Sequence, residues 1–263
     1  MMIQLKTYHR PTSLEEALGL LARPGLKTVV LAGGTTINAH LDETVDEVLD
    51  LQALGLDEVD RAGDRLRLGA MVRLQTVVEA EQAPDLLREA AHREGPNTLR
   101  NAATLGGVLA GADWESELLA ALLVLDCEVE IQFPASDSPP VDGGGRGGAI
   151  IPLPDFLAGV PAALQNGLVT AASVAIAGKT ASARVARTPA DRPIVAALGR
   201  LDAAGRIHLA LCGVARTPRL VAPDEVEVAL DPPGDFRGSS EYRRQMASVL
   251  ARRVLASLRE DAR

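Results

Sequence analysis

The stretch Pro96-Asn97-Thr98-Leu99-Arg100-Asn101-Ala102-Ala103-Thr104-Leu105-Gly106-Gly107-Val108-Leu109-Ala110-Gly111-Ala112-Asp113-Trp114-Glu115-Ser116-Glu117-Leu118 joins two helix-like segments through a Thr-Leu-Gly-Gly turn. Far upstream, Ala32-Gly33-Gly34-Thr35-Thr36 follows the apolar run Thr28-Val29-Val30-Leu31, which reads as a buried strand. Paired glycines leave the main chain bare, so its N–H groups can approach an anion closely, and the flanking threonines add hydroxyl donors. Two such loops facing each other suit a pyrophosphate and predict a dinucleotide cofactor. Taken singly, each Gly-Gly is ordinary turn chemistry. Neither matches GxGxxG or GxxxxGK[ST], so neither a Rossmann domain nor a P-loop is indicated.

Working outward, Ser13 with Glu16 three residues on predicts a capped helix carrying Leu14, Ala17, Leu18 and Leu21, stopped by Pro24-Gly25. With the strand at 28–31, a short helix near Ile37–Leu41 and a strand at Glu47–Leu51, this reads as a βαβ-like first lobe. Arg65–Ala70 alternates as a half-buried strand, Pro84–Arg93 and the strongly apolar Glu115–Leu125 read as helices, and Glu128–Phe133 alternates again. Pro134–Gly148, with Ser-Pro-Pro and Gly-Gly-Gly-Arg-Gly-Gly, reads as a surface hairpin connection. Ser173–Ala177, Ile194–Leu201 and Ile207–Val214 suggest an antiparallel meander. Ser239–Leu258 suggests a closing helix with Tyr242, Met246, Val249, Leu250, Val254 and Leu258 on one face.

At 263 residues the chain has room for more than one domain, and its 47% hydrophobic and 24% charged residues are ordinary for a globular protein. With 2% aromatics, Leu, Val and Ala must fill the core. A net charge of −8 and the lack of a basic stripe argue against nucleic acid as the main partner. Met1–Arg10 lacks the apolar core of a signal peptide and no apolar run reaches spanning length, so the default location is cytoplasmic. Cys127 and Cys212 are too few to ligate an iron–sulfur cluster and read as buried thiols, and His9, His40, His92 and His208 lack metal-ligand spacing, so no protein-bound metal is expected.

Several segments, in order, resemble the flavin-binding subunits of molybdenum hydroxylases: the medium subunit of carbon monoxide dehydrogenase and the FAD domain of xanthine dehydrogenase. Ala32–Thr35 is similar to that family's Ala-Gly-Gly-Thr loop. Arg100-Asn101, Thr104–Gly107 and Ser116-Glu117-Leu118 are similar to its Arg-Asn, Thr-Ile-Gly-Gly and Ser-Asp-Leu. Leu68–Leu74, Ile151–Gly159, Arg184–Val195 and Leu209–Ala215 extend the resemblance over nearly the whole chain. It implies an α+β fold: a two-lobed FAD-binding module at 1–160, with a small lobe at about 1–55 and a larger mixed lobe at about 56–160. A C-terminal antiparallel-sheet-plus-helices domain follows at 161–263. Periodicity alone supports only mixed α/β.

The resemblance further implies FAD as cofactor, and a hetero-oligomer with a molybdopterin-binding large subunit and a 2Fe-2S small subunit. Electrons would pass through this chain with no catalytic acid or base of its own. The implied cofactor-binding residues are Ala32, Gly33, Gly34, Thr35, Thr36, Ile37, Asn38, Thr104, Gly106, Gly107, Ser116, Glu117 and Arg184. Glu117 stands where the family has Asp, and Arg184 where it often has a Lys near the flavin. Val108 replaces a commonly polar residue, Thr98 a frequent Gln, and Trp114 a usual Pro. Structural roles are expected for Arg100 and Asn101. Two other readings stay open: a standalone FAD-dependent oxidoreductase, and a scaffold subunit that has lost its flavin.

Overall fold

Local chemistry sets the first elements. Ser13 caps helix α1 (Leu14–Leu21), its hydroxyl accepting from the Glu16 N–H at 3.2 Å, while the Glu16 carboxylate reaches back to the Thr12 N–H. The computed structural model describes residues 5–36, 44–134, 147–160, 164, 166–226 and 230–260. Strands β1 (Thr7–His9), β2 (Thr28–Leu31) and β3 (Glu47–Asp50) form a parallel sheet of order β1-β3-β2, the expected βαβ-like lobe. The predicted helix near Ile37–Leu41 lies outside the described residues.

The second sheet is antiparallel and has the order β4-β5-β8-β6-β7. Its strands are β4 (Val59–Ala62), β5 (Arg65–Gly69), β6 (Glu128–Gln132), β7 (Gly148–Pro152) and β8 (Leu168–Ala175). Strands β6 and β7 pair antiparallel from Glu128↔Pro152 to Gln132↔Gly148, so the Pro/Gly-rich stretch connects two paired strands as expected. Its central residues lie outside the described set. The expectation that Ser173–Ala177 opens the C-terminal meander is corrected. Strand β8 inserts between β5 and β6, with Leu68 opposite Ala172 and Glu128 opposite Ser173. Its run of buried residues suits a central strand flanked on both edges.

Helices α2 (Leu74–Glu79), α3 (Asp85–Arg93), α4 (Asn97–Arg100), α5 (Leu105–Gly111), α6 (Glu117–Val124) and α7 (Leu153–Gly159) belong to this lobe. Every residue of α6 is buried. The reason lies in the third sheet, of order β12-β11-β10-β9, from strands β9 (Lys179–Val185), β10 (Val195–Leu201), β11 (Ile207–Cys212) and β12 (Arg219–Leu220). Alternate residues of β10 divide between two cores. Ala196 and Leu198 join α6, whereas Val195 and Ala197 join the long helix α8 (Ser240–Glu260). The fold is mixed α+β, and the C-terminal sheet shares its core with the lobe before it.

Helix α8 buries Leu250, Val254 and Leu258 as its pattern predicts, and also Arg243. That guanidinium donates to the carbonyls of Ile194 and Gly213. It pairs with Asp235 at 2.9 Å and Glu115 at 3.4 Å, and stacks 4.6 Å from the Trp114 ring centre. A buried charge survives only when paired and hydrogen-bonded in this way. The result ties α8 and the turn before it to the α5–α6 connection.

Candidate functional site

Both glycine loops line one cleft of about 600 Å³, a size usual for a small-molecule site. They touch directly: a Cβ on Gly33 would lie 2.0 Å from the Ala102 carbonyl oxygen, so only glycine lets the first loop lie against the second. Gly34 has φ of 71°, which turns the chain sharply away from β2. The second loop is fixed from behind. Leu74 N–H donates to Ala103 O at 3.0 Å, Leu105 N–H to Val72 O at 2.9 Å and Gly106 N–H to Ala70 O at 2.8 Å. The Leu68–Leu74 segment thus serves as the back of the Thr104–Gly107 loop.

The glycines divide into two kinds. A Cβ on Gly106 would lie 2.9 Å from Ala70 Cβ and from its carbonyl oxygen, so this glycine faces the protein and is absent from the cleft wall. A Cβ on Gly107 would meet only the Thr104 hydroxyl, at 3.2 Å, so its open side is the cleft. Thr104 caps α5 by accepting from Gly107 N–H at 3.2 Å, which leaves its own proton to donate. Val30, Ala32, Leu74, Leu99, Ala103 and Val108 supply an apolar wall, with Gly33, Gly34, Thr35 and Thr36 on the other loop. Bare main chain, hydroxyl donors and an apolar wall along one groove fit a cofactor with a pyrophosphate and a flat ring system.

Glu94, Asp113 and Arg192 form the charged part of the lining, and none was singled out from the sequence. Arg192 Nη1 donates to Asp113 Oδ2 at 2.5 Å and Nη2 to Glu94 Oε2 at 3.3 Å. The other Glu94 oxygen accepts from Ser116 Oγ at 2.7 Å and Leu118 N–H at 3.0 Å. Burial pushes the Glu94 carboxyl up, opposed by Arg192 and by these donors. Asp113 holds the Glu115 N–H with its second oxygen at 2.9 Å, an Asx turn just after the left-handed Ala112 that ends α5.

Of the expected binding residues, Ala32, Gly33, Gly34, Thr35, Thr36, Thr104 and Gly107 line the cleft. Ile37 and Asn38 lie outside the described residues. Gly106, Ser116, Glu117 and Arg184 stand behind the wall. Ser116 is fully buried and caps α6, accepting from Leu119 N–H at 3.0 Å. Glu117, 2% exposed, lies 3.3 Å from Arg93 Nη1 and 2.9 Å from Arg184 Nε. In the second pair the N–H does not aim at the oxygen, so the contact is an ion pair and not a hydrogen bond. Arg184 also donates to the carbonyls of Pro189, at 2.9 Å, and Asp191. The carboxylate expected to take cofactor hydroxyls and the cation expected beside the flavin are therefore committed to each other and to the 189–191 turn.

Arg100 and Asn101 are structural as expected. Arg100 is buried and donates to Gln75 Oε1 at 2.9 Å and to the carbonyls of His92 and Gly95, while Asn101 Nδ2 donates to Asn97 O at 2.9 Å. Cys127 and Cys212 are free and buried, and burial pushes the Cys127 thiol up to about 12. Among the described residues no group of His, Cys, Asp and Glu is arranged to hold a metal, and no helix is long and apolar enough to cross a membrane.

Residues 2–174 match the family described as the FAD binding domain in molybdopterin dehydrogenase. The chain is 32% identical over 97% of its length to YgfM of Escherichia coli strain K12, covering 97% of that protein. It is 25% identical to the carbon monoxide dehydrogenase medium chain of Afipia carboxidovorans, again over 97% of each. A solved carbon monoxide dehydrogenase from Hydrogenophaga pseudoflava superposes with a TM-score of 0.84 over 98% of both chains at 22% identity, which shows a shared fold.

Proposed function

The chain belongs to the family of FAD-binding domains of molybdopterin dehydrogenases, and from that premise we propose that it is the electron-transfer subunit of a molybdenum hydroxylase complex. Electrons come from the iron–sulfur clusters of a small subunit, fed by a molybdopterin-binding large subunit, and leave to an external acceptor. The observation that carries this reading is the meeting of the two glycine loops on one cleft. Bound FAD supplies exchange between one-electron and two-electron partners. The work of this chain is binding and tuning.

In this reading the main-chain N–H at Gly34 and the hydroxyls of Thr35, Thr36 and Thr104 would hold the pyrophosphate and the polar chain next to it, while Gly107, its N–H committed to the Thr104 hydroxyl, leaves the space for them. Val30, Leu74, Leu99 and Val108 exclude water from the ring system. Proton transfer by a free acid or base is not part of the scheme, because the titratable side chains lining the cleft among the described residues are paired with one another. We divide the chain into an FAD-binding module that runs through Ala175 and a C-terminal unit after it. The pairing of β8 inside the second sheet supports a boundary later than the 160 expected from the sequence.

The test is an absorbance spectrum of the purified full chain, mass analysis of the released cofactor, and identification of chains that co-purify. The expected result is a flavin band, FAD on release, and partners with molybdopterin-binding and 2Fe-2S sequences. A folded chain that takes up no flavin from excess FAD would overturn the reading.

A further inference from the structure

Among the described residues lining the cleft, Arg192 supplies the cationic side chain. It comes from the β9–β10 turn, whereas its partners come from the FAD-binding module: Glu94 at the end of α3 and Asp113 after α5. Glu94 is a rigid anchor, its side chain 8% exposed and its second oxygen held by Ser116 and Leu118. Arg192 and Asp113 are more open, at 37% and 43%, so the Arg192–Asp113 pair stands at the wet end of the groove. One guanidinium thus bridges two carboxylates from different elements and brings the C-terminal unit down on the cleft.

We propose that Arg192, clamped by Glu94 and Asp113, is the cation that offsets the two carboxylates of the cofactor cleft and so raises the reduction potential of the flavin bound there. The inference rests on the FAD reading above and goes beyond it by assigning the tuning role to a residue, and to Arg192 in place of Arg184. The couple concerned is FAD plus two electrons and one proton giving the anionic reduced form, with electrons from the partner's iron–sulfur clusters or, in the test, from a chemical reductant. A positive charge facing the cleft favours the anionic product, and a negative one disfavours it. Asp113, on the same wall, opposes Arg192. Its removal must therefore act with the opposite sign, a signature that loosened packing does not produce. Because both side chains are partly exposed, salt must shrink both effects.

The experiment is redox titration of the flavin in the full chain reconstituted with FAD, for wild type, Arg192→Gln, Arg192→Lys and Asp113→Asn, at low and high ionic strength. The expected outcome is a lower midpoint potential in Arg192→Gln, a higher one in Asp113→Asn, near-wild-type behaviour in Arg192→Lys, and smaller shifts at high salt. An unchanged potential in flavin-loaded Arg192→Gln, or shifts of the same sign in the Gln and Asn variants, would overturn the proposal. If Arg192→Gln does not fold or hold flavin, Asp113→Asn decides: a rise supports the assignment and no rise overturns it. Wild-type protein that takes up no FAD would instead defeat the functional reading, so the two failures are distinguishable.

Discussion

Replacing Gly107 by Val puts a branched side chain where the protein leaves an opening. An added Cβ meets only the Thr104 hydroxyl at 3.2 Å, a contact that the hydroxyl relieves by a small shift. Val is a slightly better helix residue than Gly, by about a few tenths of a kcal/mol, so α5 should persist. What the methyl groups fill is the cleft space beside the Thr104 hydroxyl and opposite the first glycine loop. Hydrogen bonds to a charged group contribute roughly 1.5–3 kcal/mol each. Losing two therefore weakens FAD binding by on the order of 10²–10⁴-fold. The assay is flavin absorbance retained after desalting, alongside a thermal melt of the apoprotein. The expected result is an unshifted melt with flavin lost. Gly33→Ala is the counterpart: its Cβ lands 2.0 Å from a main-chain carbonyl, so the loops are forced apart, at a cost of about 1–3 kcal/mol, and the melt falls. Full flavin occupancy in folded Gly107→Val would refute the claim that this face of the loop holds the cofactor.

Arg243→Met leaves the carbonyls of Ile194 and Gly213 without their side-chain donor and removes one of the two arginines that Glu115 and Asp235 share, Arg237 remaining. It should destabilise the fold by about 1–3 kcal/mol in urea titration. Asp235 supplies an acid-sensitive contribution: burial pushes its carboxyl up, but hydrogen bonds from Arg243 and from the Arg237 and Gly238 N–H groups more than reverse this and hold it at about 2. A depressed folded-state value means stability that is present above the unfolded value near 3.8 and lost as pH falls toward 2, and Asp235→Asn should flatten that limb of the acid-unfolding curve. Arg184→Ala should loosen the 187–193 turn, seen as faster amide exchange there, since its contacts are Glu117 and two carbonyls of that turn. Cys127 and Cys212 should resist a thiol reagent in the native protein and react only on unfolding, being buried with their thiol values pushed up.

The chain's short-range grammar was legible before any coordinates. Ser13 caps the helix that follows it, Pro84 precedes α3, and the alternation at 65–69 and 128–132 gives strands, because each signal acts over a few residues. The two glycine loops and the family they belong to were legible for the same reason: a Gly-Gly turn flanked by threonines carries its own residue types. Tertiary structure decided what such local signals cannot encode. The pattern of Ser173–Ala177 says strand, but the observed strand, Leu168–Ala175, and its seat between β5 and β6 depend on neighbours far away in the chain. Ser116 and Glu117 look alike as cofactor ligands in sequence, yet the C-terminal sheet covers α6 and turns them inward to Glu94 and Arg184. Gly106 and Gly107 are adjacent and chemically identical, and only the position of Ala70 makes one packing and the other cleft. Glu94, Asp113 and Arg192 meet across sequence separations of 79 and 98 residues. A charge pair leaves no mark on the residues beside it, so only the folded chain brings that cation to the cleft.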